Sequence, residues 1–175
     1  MIGTFIVPAV QSDTPLPPNP VAEETLQAKV DAFTNPAPVA VPVPPDIQAR
    51  VSGKTYALKE NALGWTSLAI TFGEQEVLLT LEVEGRRLEL PVGLDGVFRI
   101  STAGLPGDVP NWRPVPDVPL ALKGGWQGET FVITARDLLG ALNGQFSLLF
   151  KDILTVSIMG DAGLQRYMSI TGSPQ

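Results

Sequence analysis

The sequence predicts an all-β fold, an antiparallel meander that forms a barrel or a strongly curved sandwich behind a proline-rich leader. Ten of the 17 prolines lie in residues 1–50, whereas 16 of the 17 glycines follow them. Proline stiffens extended segments, and glycine serves the tight turns between strands. After residue 50 the apolar residues recur with a period of two, which is typical of half-buried strands. We therefore divide the chain into a leader, residues 1–50, and a β-barrel-like domain, residues 51–175.

The leader is predicted to contain one short helix at about residues 20–33. Asn19 is a suitable N-cap, Pro20 suits the first helical position, and two acidic residues follow near the positive end of the helix dipole. Asn35-Pro36 then ends the helix. The next stretch, residues 36–45, is half proline and is predicted to be extended, polyproline-like and laid over the surface of the domain.

Ten short strands are predicted in the β domain. Their apolar and polar residues alternate, as in Leu68, Ile70 and Phe72, and short glycine turns join consecutive strands, for example at Gly85. Consecutive strands with such tight connections form a meander. The segments are 54–58, 66–72, 77–83, 87–92, 97–101, 120–126, 130–135, 145–151, 154–159 and 167–171.

The charge of the chain argues against nucleic acid as a partner. Eighteen acidic and 12 scattered basic residues give a net charge of -6, which repels a phosphate backbone. The early apolar run, residues 1–10, contains Pro8, lacks a basic flank and is far shorter than the roughly 20 residues that span a bilayer. We expect no membrane span and no signal peptide in this chain. The compartment stays open, because a longer parent protein could still be exported.

The chain contains no cysteine and no histidine. It therefore lacks thiolate nucleophiles, the usual general base near neutral pH, and the commonest metal ligands. Gly53-Lys54-Thr55 matches only the end of a phosphate-binding loop, since Gln48 stands where the earlier glycine is needed. We expect no catalytic residue, no metal and no cofactor. An unusual hydrolase that uses carboxylates such as Glu82 and Glu84 is an alternative, although solvated surface charge explains these residues better.

Three tryptophans and one arginine are the candidate residues for ligand or partner binding. Trp126 ends a predicted strand, where we expect it to plug the core or a mouth of the barrel, and Trp65, which follows Leu63-Gly64, is expected to do the same at the other end. Trp112 and Arg113 lie in a proline-rich loop, residues 104–119, that is predicted to be long, irregular and exposed. A rigid exposed tryptophan and arginine are suited to contacting a partner. The alternative for Trp112 is a side chain folded back onto the barrel.

Several segments resemble the C-terminal domain that follows the catalytic domain in serine hydrolases of the β-lactamase and penicillin-binding-protein type. The leader is similar to the segment that links those two domains, and the resemblance covers residues 7–172 in order. The segments are Ser52-Gly-Lys-Thr-Tyr-Ala-Leu-Lys-Glu-Asn61 with Leu63-Gly64, Pro91-Val-Gly-Leu-Asp-Gly-Val-Phe-Arg-Ile-Ser101, Leu122-Lys-Gly-Gly-Trp126 with Phe131, and, in the leader, Val7-Pro-Ala-Val10, Asp13-Thr-Pro-Leu-Pro-Pro-Asn-Pro20 and Leu26-Gln-Ala28.

The resemblance implies a lipocalin-like barrel or half-barrel that is not catalytic by itself. The Ser-x-x-Lys nucleophile and the Tyr-x-Asn partner of the family belong to the upstream domain, and neither motif occurs here. Tyr56 is followed by Ala57-Leu58, and Tyr167 by Met168-Ser169. No catalytic residue is therefore carried over from the family.

The same resemblance implies a partner, the upstream serine hydrolase catalytic domain of a common parent protein. The domain would act there in stability, substrate access or partner contact. The alternative is a free-standing lipocalin-like module that binds a small apolar ligand in the barrel mouth near Trp65 and Trp126, because small barrels can enclose ligands.

Overall fold

A computed structural model gives the structure of the chain and describes residues 17–102, 104–105, 118–139, 143–160 and 168–175. Within these residues the chain forms two helices and ten strands. It divides into two compact units, with the division between Ala37 and Pro38. Each unit is described by itself.

The first unit contains helix α1, Pro20–Thr34, close to the predicted range. The Asn19 side chain accepts a hydrogen bond from the Ala22 N–H at 3.1 Å, which satisfies one of the free donors of the first turn. At the other end the Asn35 N–H donates to the Asp31 carbonyl at 2.8 Å. The helix buries none of its residues. The two capping hydrogen bonds, and not burial of an apolar face, therefore define the ends of this helix.

The second unit begins with an extended segment that lies on the barrel. The Val39 N–H donates to the Asp95 carbonyl at 2.9 Å, and Val41 packs against the hydrophobic core. A short helix that no sequence pattern indicated, α2, follows at Ile47–Val51. Both of its terminal residues are only 6% exposed and belong to the core. The prediction of an extended, surface-bound proline segment is thus confirmed for this part of the leader.

The ten strands match the ten predicted segments, with one large difference in length. The fifth strand was expected over 97–101 but contains only two residues. Side chains occupy the backbone groups that a longer strand would need for pairing. The Val97 N–H donates to Asp95 Oδ1, and the Val97 carbonyl accepts from Arg99. The strands are β1 Lys54–Leu58, β2 Trp65–Phe72, β3 Glu76–Val83, β4 Arg86–Gly93, β5 Arg99–Ile100, β6 Leu120–Gln127, β7 Thr130–Asp137, β8 Asn143–Phe150, β9 Leu154–Gly160 and β10 Met168–Pro174.

Nine of these strands close into a barrel. Their order is β4-β3-β2-β1-β10-β9-β8-β7-β6, and β4 then pairs with β6 through Gly93 and Lys123. This closing pair is parallel, whereas the neighbouring pairs along the order are antiparallel. A ring of strands that alternate in direction must contain one parallel junction when the number of strands is odd. Strand β5 pairs antiparallel with β6 beside this junction. The all-β prediction is confirmed, and the architecture is a barrel.

The interior of the barrel is a packed core. Alternate side chains of the strands are buried in it; on β2, for example, Leu68 is 1% exposed and Ile70 is 0% exposed. The void between the twelve apolar side chains that line the centre measures about 10 Å³. This is about the space of one water molecule, and an apolar lining offers water no hydrogen bonds. The residues that line this void are Trp65, Leu68, Leu79, Leu81, Leu90, Val92, Leu105, Leu122, Ile133, Phe146, Leu148 and Val156.

Two glycines beside the closing junction have no room for a side chain. A Cβ atom on Gly93 would overlap the Val97 carbonyl oxygen, and a Cβ atom on Gly124 would lie 2.8 Å from the Val132 carbonyl oxygen. Such a Cβ atom on Gly124 would also lie 3.1 Å from the Val92 side chain of β4. Gly93 thus leaves room for the loop after β4, whereas Gly124 leaves room for β7 and for the Val92 side chain across the junction.

A buried ion pair fixes the loop beside this junction. Asp95 is only 2% exposed, and its carboxylate accepts from the Val97 N–H at 3.1 Å and from Arg99 Nη2 at 2.9 Å. Arg99 Nε also lies 3.3 Å from the Glu76 carboxylate of β3. The bond from Arg99 holds the pKa of Asp95 below its usual value, and Asp95 in turn raises the pKa of Arg99.

The first prediction concerns two adjacent glycines. We expect Gly124→Ala to destabilise the barrel by about 1–3 kcal/mol, because its Cβ meets fixed backbone. Gly125→Ala is the matched control, since a Cβ there meets nothing within 4 Å and the backbone needs no positive φ. Thermal unfolding followed by circular dichroism measures both variants. Equal melting temperatures for the two variants would contradict this account of the junction.

The second prediction is that the contribution of Asp95 to the free energy of unfolding depends on pH. Asp95→Asn should cost about 2–3 kcal/mol near neutral pH, because it removes hydrogen bonds to a buried charged group. Since the pKa of Asp95 is lowered in the folded state, its contribution is complete above the ordinary carboxyl pKa of about 4 and fades as the pH falls below it. The difference between wild type and variant should therefore shrink in acid.

The control for this variant is Glu89→Gln. Glu89 pairs with Arg87 at 3.2 Å, but both side chains are more than half exposed, so the loss should be below about 0.5 kcal/mol. Urea denaturation at neutral and acidic pH measures both variants. A loss for Asp95→Asn that is independent of pH, or no larger than that of the control, would refute the assignment.

Candidate functional site

Trp126 lies at one end of the barrel in a cluster of four aromatic rings. Its ring stacks on Phe72 with centroids 5.4 Å apart, and it meets Phe131 and Phe150 at 5.3 and 6.0 Å. The indole N–H donates to Gln48 Oε1 at 2.8 Å. The hydrogen bond from Trp126 on β6 to Gln48 thus holds helix α2 against this end of the barrel.

Trp65 lies at the opposite end. It opens β2, whereas Phe72 closes that strand, so the two tryptophans are separated by roughly 20 Å along the strand direction. Trp65 is 3% exposed, and its ring packs 6.2 Å from that of Phe146. Among the described residues its buried Nε1 has no hydrogen-bond partner. Trp65 and Trp126 therefore do not line a common pocket in the described structure.

The other two sequence-predicted binding residues lie outside the described part of the chain. Trp112 and Arg113 fall between residues 105 and 118, where no structure is described. Their role in binding a partner stays a prediction.

A groove of about 540 Å³ runs beside Trp126, and we call it the Trp126 groove. It combines the extended segment before α2, the turn between β2 and β3, and the ends of β4 and β6. Its volume falls within the range of about 300–1,000 Å³ that is common for small-molecule sites. The lining residues are Val41, Pro42, Val43, Pro44, Gln48, Gly73, Glu74, Leu94, Gly125 and Trp126.

Of these lining residues, only Trp126 was predicted from the sequence to be a binding residue. The other walls come from segments that are up to 85 residues away from it along the chain, beginning at Val41. The one available signal was the run of valines and prolines, which predicted a segment on the surface of the domain. It could not indicate which part of the barrel the segment contacts.

A second groove, of about 460 Å³, lies on another face of α2. It is lined by charged side chains of both signs, including Arg50, Lys54, Lys151, Glu129 and Asp152. Since the charges nearly balance, this groove does not favour a ligand of either sign.

The described residues hold no group of three or more histidine, cysteine or acidic side chains that could bind a metal ion. No helix in that part of the chain has the length and apolar character to cross a membrane. Comparisons of the whole chain with protein families, with curated proteins and with solved structures find no match in any of the three.

Proposed function

We propose that this chain is a non-catalytic accessory domain that acts by contact with a serine hydrolase catalytic domain of the β-lactamase type. The observation that carries the proposal is the filled barrel. Its central void of about 10 Å³ leaves no room for a ligand among the described side chains. A role for this domain therefore depends on its outer surface, where another folded domain can bind.

The outer face of β8, β9 and β10 supports such a contact. Its outward positions carry no charged side chain, although 30 of the 175 residues are charged. Ser147, Ser157 and Ser169 lie side by side across the three strands. Charged residues are depleted at the centres of protein interfaces, because burying them removes their hydration. The outward residues are Gln145, Ser147, Leu149, Thr155, Ser157, Met159, Ser169, Thr171 and Ser173.

The type of partner comes from the sequence resemblance. The segments from Ser52 to Phe131 resemble the accessory domain, and the leader resembles the segment that joins it to the enzyme. The chain also lacks histidine and cysteine, so a partner would supply the nucleophile and its base.

The third prediction tests the partner. We expect the codons upstream of Met1, or a neighbouring gene, to encode a catalytic domain with the Ser-x-x-Lys motif. The purified chain should bind this domain in calorimetry, and Ser157→Arg should weaken binding about tenfold by placing a charge at the centre of the interface. Glu89→Lys, on the outward side of β4, is the control and should bind as wild type.

Two results would overturn the proposal. One is the absence of any such hydrolase, or of binding to it. The other is turnover of β-lactams or esters by this chain alone that is lost when its acidic residues are replaced.

A free-standing module for a small ligand is the second candidate function. The Trp126 groove favours it, because this groove has the volume that the barrel interior lacks. Saturable quenching of tryptophan fluorescence by a small apolar compound would support it, whereas a flat response across compound classes would oppose it.

A further inference from the structure

The walls of the Trp126 groove are apolar and held in place. Leu94 is 8% exposed and belongs to the core, and Val41 packs against that core. The Trp126 ring is fixed by its stack on Phe72 and by its hydrogen bond to Gln48. A ring that is fixed before binding loses little conformational entropy when a ligand packs on it.

The charged and carbonyl groups of the groove favour positive charge, and the amide nitrogen of Gln48 is the one side-chain donor among the described lining residues that does not belong to Trp126. Glu74 is the only charged side chain among the described residues that line the groove, and it is exposed at the turn between β2 and β3. The segment Val41 to Pro44 offers four backbone carbonyls but only two N–H groups, because two of its residues are proline. No described donor is bonded to these carbonyls. The N–H of Gly73 is already used, since it donates to the Glu76 carbonyl at 2.8 Å.

We propose that the Trp126 groove binds a small organic cation, an amine or guanidinium group carried on an apolar body. The apolar body packs against Leu94, Val41 and the prolines, and the cation lies between the indole ring and the Glu74 carboxylate. Among aromatic side chains, the indole ring of tryptophan attracts cations most strongly, and a nearby carboxylate attracts them as well. An anion of the same shape meets Glu74 and the proline carbonyls, and both repel it. This inference does not depend on a hydrolase partner.

The fourth prediction uses three phenyl probes of similar size that differ in charge: phenethylammonium, phenethyl alcohol and phenylacetate. The readout is the Trp126 indole N–H signal in nitrogen–proton NMR spectra, identified by its absence in Trp126→Phe. We expect saturable shifts with phenethylammonium, binding about two- to fivefold weaker with the neutral alcohol, and none with phenylacetate at the same concentrations.

Two variants locate the probe. Glu74→Gln should bring the affinity for the cation close to that for the alcohol, while Glu129→Gln, in the second groove, should leave the preference unchanged. Gly125→Leu should block all three probes, because Gly125 lines the groove and a Cβ there meets nothing within 4 Å, so a leucine side chain has room to occupy the space of the probe. The rest of each spectrum shows whether the variant is folded.

The proposal is overturned if the three probes bind equally, if phenylacetate binds best, or if no probe gives a saturable shift. Unchanged binding by folded Gly125→Leu would place the site elsewhere and would also overturn it. None of these results bears on the proposed contact with a serine hydrolase, because that proposal depends on the outer face of β8, β9 and β10.

Discussion

Closure of the barrel between β4 and β6 is the constraint on which the rest of the structure depends. The odd number of strands makes this junction parallel, and it is held in the described residues by the pair Gly93 and Lys123. This contact joins the two ends of the nine-stranded order, and β5 covers a further part of the β6 edge through Arg99 and Ile100. Gly93 leaves room for the loop that follows β4, Gly124 leaves room for β7, and the ion pair of Asp95 and Arg99 fixes that loop.

The same junction holds the segment that precedes the barrel. The Asp95 carbonyl accepts from Val39, and farther along the chain Gln48 accepts from Trp126 on β6. One segment is thereby attached at two points, to the loop after β4 and to the end of β6. The space left between these attachments is the Trp126 groove, so closure of the barrel and formation of the groove have a common origin.

The filled interior distinguishes this barrel from those that enclose ligands. Barrels of similar strand number can hold one small molecule when their central side chains are small. Here leucine, phenylalanine and Trp65 occupy that space, and the void is about 10 Å³. The Trp65 N–H has no hydrogen-bond partner among the described residues, so burying it there costs about 1–3 kcal/mol, which the surrounding apolar packing must offset. Among the described residues, the outer face of the sheet and the grooves around α2 therefore offer surfaces for recognition.

The sequence by itself determined the features that depend on near neighbours. Alternating residues indicated all ten strands, glycine turns indicated the meander, and Asn19-Pro20 indicated the start of α1, because these signals act over a few residues. Only the tertiary structure decided the closing pair, the shortening of β5 by the side chains of Asp95 and Arg99, and the short helix α2. It also built a groove from four separate segments. Such features depend on register and on contacts between residues far apart in the chain, which local periodicity does not encode.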